Sequence, residues 1–278
     1  MTKIPLFLHI PKTGGKTLTQ HIYKQYRTDD YYEAEKGVFV QGVFYYPAGI
    51  VNNHALAIPE NILRTLGRPD VRTVVGHYSF GIHRYLNKPW TYVTLHRNPI
   101  DRVVSLYYHF RKWDNDELHA QIVSNNVSLD DFVLKLNRRE ADNDQTRRIS
   151  GLEPPFGKCS IDTLETAKAN LRKYFSAIGT TERFYETLVL FKRTLAWSCI
   201  PYFVPDNVNK SRPATASLPQ KSIDSIVARN ELDLQLYDFA TNMLDELISF
   251  QNDDFYEEVE NFKTLNEEYI TQNSLPRW

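Results

Sequence analysis

The stretch that most constrains this chain is IPLFLHIPKTGGKT, residues 4–17. A short apolar run, Ile4 to Ile10, passes directly into Pro11, Lys12, Thr13, two glycines, Lys16 and Thr17. The run has the length and composition of a buried strand. Gly14 and Gly15 let the backbone turn tightly and bring its N–H groups close to an anion, and Lys16 to Tyr23 reads as the first turns of a helix. Backbone donors, a positive helix N-terminus and two lysines then converge on one point, which is a phosphate-binding arrangement. It is not the nucleoside-triphosphate loop G-x-x-x-x-G-K-[ST], because that pattern needs glycine at position 10, which is Ile10 here. An anion is expected, and its identity stays open at this point.

Three further runs read as buried strands: VRTVVGH (71–77), WTYVTLHR (90–97) and YFSAIGTT (174–181). Each is rich in β-branched or aromatic residues and is followed by a helical pattern. The expected fold is α/β, a phosphate-loop-like central parallel sheet flanked by helices and doubly wound. Ligands of such sheets gather beyond the C-terminal ends of the strands. Those ends carry Lys12, His77 and Arg97, so residues from distant segments are predicted to meet at one edge. A chain of 278 residues, 42% hydrophobic and 13% aromatic, is expected to fold as one domain, 1–278. The segment VPDNVNKSRPATASLPQKS, 204–222, reads as a long loop close to the ligand, and 223–278 as a C-terminal helical region.

Composition excludes several classes. A net charge of −1 gives no global reason to expect nucleic acid. Cys159 and Cys199 are the two cysteines and have no metal-like spacing, so neither a disulfide framework nor a cysteine zinc site is expected. Lys3 is followed by an apolar run of about five residues that ends before Lys12, well short of the roughly 7–15 apolar residues of a signal peptide. No apolar stretch approaches the roughly 20 residues of a membrane helix. The expectation is a soluble, cytoplasmic protein.

The second informative stretch is TLHRNPIDRVVSLYYHF, 94–110. Pro99 suits the first turn of a helix and Asp101 its positive end, while Val103, Val104, Tyr107 and Phe110 form an inward face. Arg97 precedes the helix and Ser105 lies about two turns along it. The two can reach one phosphate if the helix runs alongside the ligand. Alternatively, Arg97 is an ion-pair partner of Asp101.

Taken together, HIPKTGGKTL and RNPIDRVVSLYYHF resemble the two cofactor motifs of sulfotransferases that use 3′-phosphoadenosine 5′-phosphosulfate, PAPS. GHYSFGIH, DNDQTRRISG and GTTERFYETLVLFKRTLAW resemble the branch containing heparan sulfate and uronyl 2-O-sulfotransferases. The five segments follow in order between residue 4 and about residue 212. The resemblance implies that Lys12 contacts the bridging and sulfuryl oxygens. It implies that Thr13, Gly14, Gly15, Lys16 and Thr17 wrap the 5′-phosphate, and that Arg97 and Ser105 bind the 3′-phosphate. Gly14, Gly15 and Lys16 stand where the 2-O relatives carry alanine or serine. Lys210 and Arg212 read either as a cap over the 3′-phosphate or as solvated charge.

Sulfuryl transfer passes through a loose in-line transition state, so positioning and charge stabilisation carry most of the catalysis, and no metal is needed if cations and amides neutralise the leaving phosphate. The attacking hydroxyl must also lose a proton. His77 ends the strand VRTVVGH, and the resemblance places the catalytic histidine in this GH position; the alternative is a histidine that only bonds backbone. His83, His96 and His9 also stand near strand ends as positioning candidates. Arg147 and Arg148 read either as acceptor contacts, together with His83, or as an exposed helix face. The implied partner is a hydroxyl-bearing saccharide or glycoconjugate. Two other classes share the loop: a kinase or nucleoside triphosphatase, and a non-catalytic nucleotide-binding module.

Overall fold

A computed structural model describes residues 3–26, 38–40, 43–46, 50–53, 66–112, 114, 117–204 and 212–273. The first strand, β1 (Ile4–Leu8), leads through the glycine turn into α1 (Gly15–Tyr26). Three short strands follow, β2 (Val38–Val40), β3 (Val43–Tyr46) and β4 (Ile50–Asn53), then β5 (Thr73–Gly76) and β6 (Trp90–His96). Next come α2 (Pro99–Phe110), α3 (Glu117–Ser124), α4 (Leu129–Leu134), α5 (Asp144–Ser150) and α6 (Ile161–Tyr174). The chain continues through β7 (Phe175–Thr180), α7 (Phe184–Thr194), α8 (Gln220–Arg229), α9 (Glu231–Ser249) and α10 (Phe255–Asn273).

Among the described residues the strands form one sheet in the order β2-β3-β4-β5-β1-β6-β7. Pairing is parallel from β4 through β5, β1 and β6 to β7, and antiparallel at β2–β3 and β3–β4. The fold is thus α/β, with a central parallel sheet flanked by helices. Because β1 lies between β5 and β6, three chain segments leave the sheet side by side at its C-terminal edge: residues 9–14, 77–81 and 97–98.

Alternation along the strands fixes the two faces. Leu6, Leu8, Val74, Tyr92 and Ile178 bury against Leu164, Ala167 and Leu171 of α6 and Leu236 and Ala240 of α9. Phe7, Val75, Val93, Leu95 and Ala177 bury against Leu18 and Ile22 of α1, Leu188 and Phe191 of α7, and Phe255 and Val259 of α10. A third cluster joins Val103, Val104, Tyr107 and Phe110 of α2 to Phe132 and Val133 of α4 and Ile226 of α8. Each fully buried aliphatic or aromatic side chain contributes roughly 1.5–3 kcal/mol, so the α2 face anticipated from its spacing anchors the residues just before it. Asn98 caps α2, its side chain accepting from the Ile100 and Asp101 amides, with Pro99 at the first helical position.

The segment 204–222 is described in part. Residues 212–219 are loop with a short turn at Thr215–Ser217, and α8 begins at Gln220. Lys210 lies outside the described residues. No helix among the described residues is long and apolar enough to cross a membrane.

Candidate active site

The turn after β1 has the conformation that an anion-binding loop would need. Lys12 adopts a left-handed φ of 71° and Gly14 a φ of 86°. For a non-glycine residue such a conformation costs on the order of 1–3 kcal/mol, so surrounding contacts must hold it. They do: Arg97 Nη1 donates to the Lys12 carbonyl at 3.1 Å and Thr181 Oγ1 donates to the Thr13 carbonyl at 2.7 Å. Thr13 is buried and donates to the Ile10 carbonyl at 2.8 Å. Gly15 and Thr17 are also buried, in the first turn of α1, where the amides of residues 15–17 have no acceptor inside the helix.

Three cations share this edge. Burial first, then the positive charges of Arg97 and Arg212, lower Lys12 from 10.5 to about 8. Burial and then the charge of Arg212 also hold the Arg97 guanidinium below its ordinary value, with Asp101 and Glu182 opposing. Asp101 is paired with Arg212, not with Arg97, and accepts from Thr215 Oγ1 at 2.7 Å. Ser105 is half-buried one helical turn beyond Asp101, on the same face of α2. Lysine and arginine held close together with depressed affinities for their protons form a site waiting for negative charge.

His77 follows β5 directly, and its Nδ1 lies 3.0 Å from the His9 carbonyl oxygen. A carbonyl only accepts, so Nδ1 carries the hydrogen, and the neutral ring then holds its lone pair at Nε2. That is the tautomer a general base requires. The His9 ring packs on the His77 ring, centroids 4.2 Å apart. On the other side, a Cβ at position 15 would fall 1.5 Å from His9 Nε2. A side chain on Gly15 would therefore fit only if the His9 ring or the turn moved, which ties the loop glycine to the His9–His77 pair.

Other candidates lie elsewhere. His83 is not at the C-terminal edge: its ring packs 4.2 Å from Trp90, the first residue of β6, and 5.8 Å from Tyr174, the residue before β7. Its Nδ1 sits 3.0 Å from the Tyr92 hydroxyl. The turn Ile82–Tyr85 carries it back along the sheet. His96 is fully buried, and burial brings it down to about 4, with Gln145 opposing.

Arg147 and Arg148 are neither an exposed face nor available to an acceptor; they are 0% and 3% exposed. Arg147 pairs with Asp142 and donates to the carbonyls of Asp142, Pro154 and Pro155. Arg148 Nε donates to Asp144 Oδ2 at 3.0 Å and its Nη1 to the His77 carbonyl at 3.1 Å. Sequence reasoning missed the residues that build the second layer of the site, Gln145, Thr181 and Asp233. In the motif DNDQTRRISG the sequence draws attention to the two arginines, whereas the contact to Arg97 is made by Gln145.

The sulfotransferase family model matches residues 5–240, from β1 into α9. The chain is 26% identical over 263 residues to a heparin sulfate O-sulfotransferase of Drosophila melanogaster, an alignment spanning 85% of this chain and 70% of that protein. It is 24% identical over 300 residues to human heparan-sulfate 6-O-sulfotransferase 1, spanning 88% of this chain and 66% of that protein. With heparan-sulfate 6-O-sulfotransferase 2 of Gallus gallus it shares 23% identity over 292 residues, 86% of this chain and 66% of that protein.

Proposed function

The chain belongs to the sulfotransferase family, and we propose that it moves the sulfuryl group of PAPS to a hydroxyl of a saccharide or glycoconjugate without a metal. The observation that carries this reading is the cluster of Lys12, Arg97 and Arg212 at the glycine turn, with Lys12 held near 8. A donor bearing phosphate at two positions matches such a site: the turn and α1 suit one phosphate, and Arg97, Arg212 and Ser105 suit the other. The saccharide comes from the names of the relatives. Those names include 6-O enzymes, so the reading leaves the choice of hydroxyl to the acceptor pocket. The cytoplasm is the compartment we propose, from a sequence whose two cysteines, Cys159 and Cys199, form no disulfide framework.

PAPS supplies the activated sulfuryl group on its 5′-phosphate. Lys12 Nζ and the amides of residues 14–17 neutralise charge that grows on the leaving phosphate, in a site fixed before reaction. His77 Nε2 accepts the acceptor's hydroxyl proton as that oxygen bonds to sulfur, a role that contributes roughly 10²–10⁴-fold. The products are the sulfate ester, 3′-phosphoadenosine 5′-phosphate, and a proton left on His77.

Titration calorimetry tests the reading through the extra phosphate. Charge-assisted hydrogen bonds are each worth about 1.5–3 kcal/mol. 3′-Phosphoadenosine 5′-phosphate is therefore expected to bind at least tenfold more tightly than adenosine 5′-phosphate, in magnesium-free buffer. Equal affinities would overturn the assignment, and a strict magnesium requirement would favour a kinase.

A further inference from the structure

The motif DNDQTRRISG contributes no side chain to the ligand edge, yet its helix, α5, is buried at all seven positions. We propose that α5 positions the site: Gln145 fixes the backbone of Arg97, Arg148 fixes the backbone of His77, and the helix sets the spacing between anion-binding cation and base. This rests on the roles of Arg97 and His77 given above.

Gln145 closes a two-bond ring on Arg97, its Oε1 accepting from the Arg97 amide at 3.1 Å and its Nε2 donating to the Arg97 carbonyl at 2.9 Å. Arg148 brackets the other segment: Nη1 donates to the His77 carbonyl at 3.1 Å, and its own carbonyl accepts from the Phe80 amide at 2.7 Å. The two held segments leave β5 and β6, which are separated by β1, so they start roughly 9–10 Å apart. Residues three apart on a helix rise only about 4.5 Å, and the long arginine side chain supplies the rest of the reach. A shorter side chain at 148 cannot hold Asp144 and the His77 carbonyl together.

The helix itself is locked. Asp233 of α9 accepts from the Gln145 and Thr146 amides at 3.2 and 2.7 Å and from Thr146 Oγ1 at 2.8 Å. In return Asn143 accepts from the amides of Leu232 and Asp233, both at 3.0 Å, so α5 and α9 cap one another. Asp144, beneath Arg148, also faces Arg102 of α2 at 3.6 Å. With α5 pinned by α2 and α9, a shift of the helix moves Arg97 and His77 together, whereas loss of one contact releases only one of them.

That separation is the test. Gln145→Met is expected to weaken binding of 3′-phosphoadenosine 5′-phosphate roughly tenfold, the loss of two neutral hydrogen bonds, with kcat at saturation within about twofold of wild type. Gln145→Glu keeps the shape and an acceptor for the Arg97 amide but sets a second acceptor oxygen against the Arg97 carbonyl, so it is not expected to recover that affinity. Arg148→Lys keeps a cation beside Asp144 but releases the His77 carbonyl. Here kcat is expected to fall roughly tenfold, since small misplacements of reacting groups cost up to about 10²-fold, while affinity stays within about twofold.

Thermal melts accompany each variant. Parallel losses of affinity and turnover that track melting temperature, failure of both Gln145→Met and Arg148→Lys to fold, or unchanged kinetics in both would each overturn the inference. A wild-type protein that binds no 3′-phosphoadenosine 5′-phosphate would instead remove the reading beneath it.

Discussion

Arginines occupy two neighbouring regions of this molecule under opposite conditions. On and around α5, Arg102, Arg147 and Arg148 are buried, and Asp142, Asp144 and Asp233 lie among them. Burial alone would push the Asp144 carboxyl up, but Arg148 and Arg102 hold it below its ordinary value. At the sheet edge, Lys12 and Arg97 are half-buried, and burial pushes both down, helped by the charges of Arg97 and Arg212 at Lys12 and by that of Arg212 at Arg97, where Asp101 and Glu182 oppose it only in part. A buried guanidinium matched by carboxylate is structure, and one left in a field of like charge is a place for a ligand anion. On the proposed reading the same residue type therefore serves the fold in one region and ligand binding in the other, and charge balance tells them apart.

The largest effect expected from breaking this contrast is on the paired side. Arg147→Met leaves Asp142 buried without its cation, a change that typically costs about 3–5 kcal/mol. Chemical denaturation is expected to show that loss. Arg97→Met removes a repelled cation together with its bond to the Lys12 carbonyl, so stability is expected to fall by no more than about 1.5 kcal/mol, while affinity for 3′-phosphoadenosine 5′-phosphate falls. If Arg97→Met destabilised the fold as much as Arg147→Met, the distinction drawn from charge balance would be void.

His77 sharpens the comparison, because it sits between the two regions: its backbone is held by Arg148 and its ring packs on His9, which lies against Gly15 of the glycine turn. His77→Ala is expected to lower turnover by roughly 10²-fold or more while leaving affinity for 3′-phosphoadenosine 5′-phosphate nearly unchanged. Single-turnover rates and calorimetry on the same preparation check this. Near wild-type turnover would move the base elsewhere, and neither buried His96 nor the displaced His83 is placed to take over. His9, stacked on His77, would be the next residue to test.

What was legible in the sequence follows the same division. The strands at 73–76, 90–96 and 175–180 could be read because parallel strands covered on both faces are nearly continuous apolar runs, and β7 is covered in this way even at the sheet's edge. The Asn98–Pro99 start of α2 and its buried face could be read because caps and helical periodicity are local. The α5 arginines could not, since adjacent charges are normally solvated and one acid that orders the helix, Asp233, is 87 residues from Thr146. Asp144 and Arg148, four apart, were the local hint of an internal pair. His83 was misplaced because a single short turn reverses its direction along the sheet. The stack of His9 between Gly15 and His77 needs the left-handed turn at Lys12, which no spacing rule announces.

The smallest effect expected, and the most direct probe of the unbalanced edge, is the pH dependence of binding. With Lys12 near 8 in the free protein, its charge is present below that pH and lost above it. A bound anion favours the charged form and raises the value, so binding between about pH 8 and 9 takes up a proton, and affinity falls by at most about tenfold per pH unit. Arginine stays charged across that range. Lys12→Arg is therefore expected to bind 3′-phosphoadenosine 5′-phosphate with a flat profile from pH 7 to about 9.5. The wild type should lose affinity above about 8, and proton uptake should appear as a heat that varies with buffer ionisation enthalpy. In the ligand-free chain the sign is opposite: the unfolded lysine holds its proton up to about 10.5, so stability rises as pH climbs from about 8, by an amount reduced by solvent screening. Should Lys12→Arg show the same fall in affinity as wild type, the titrating group is not Lys12, and the charge imbalance at the glycine turn is weaker than its geometry implies.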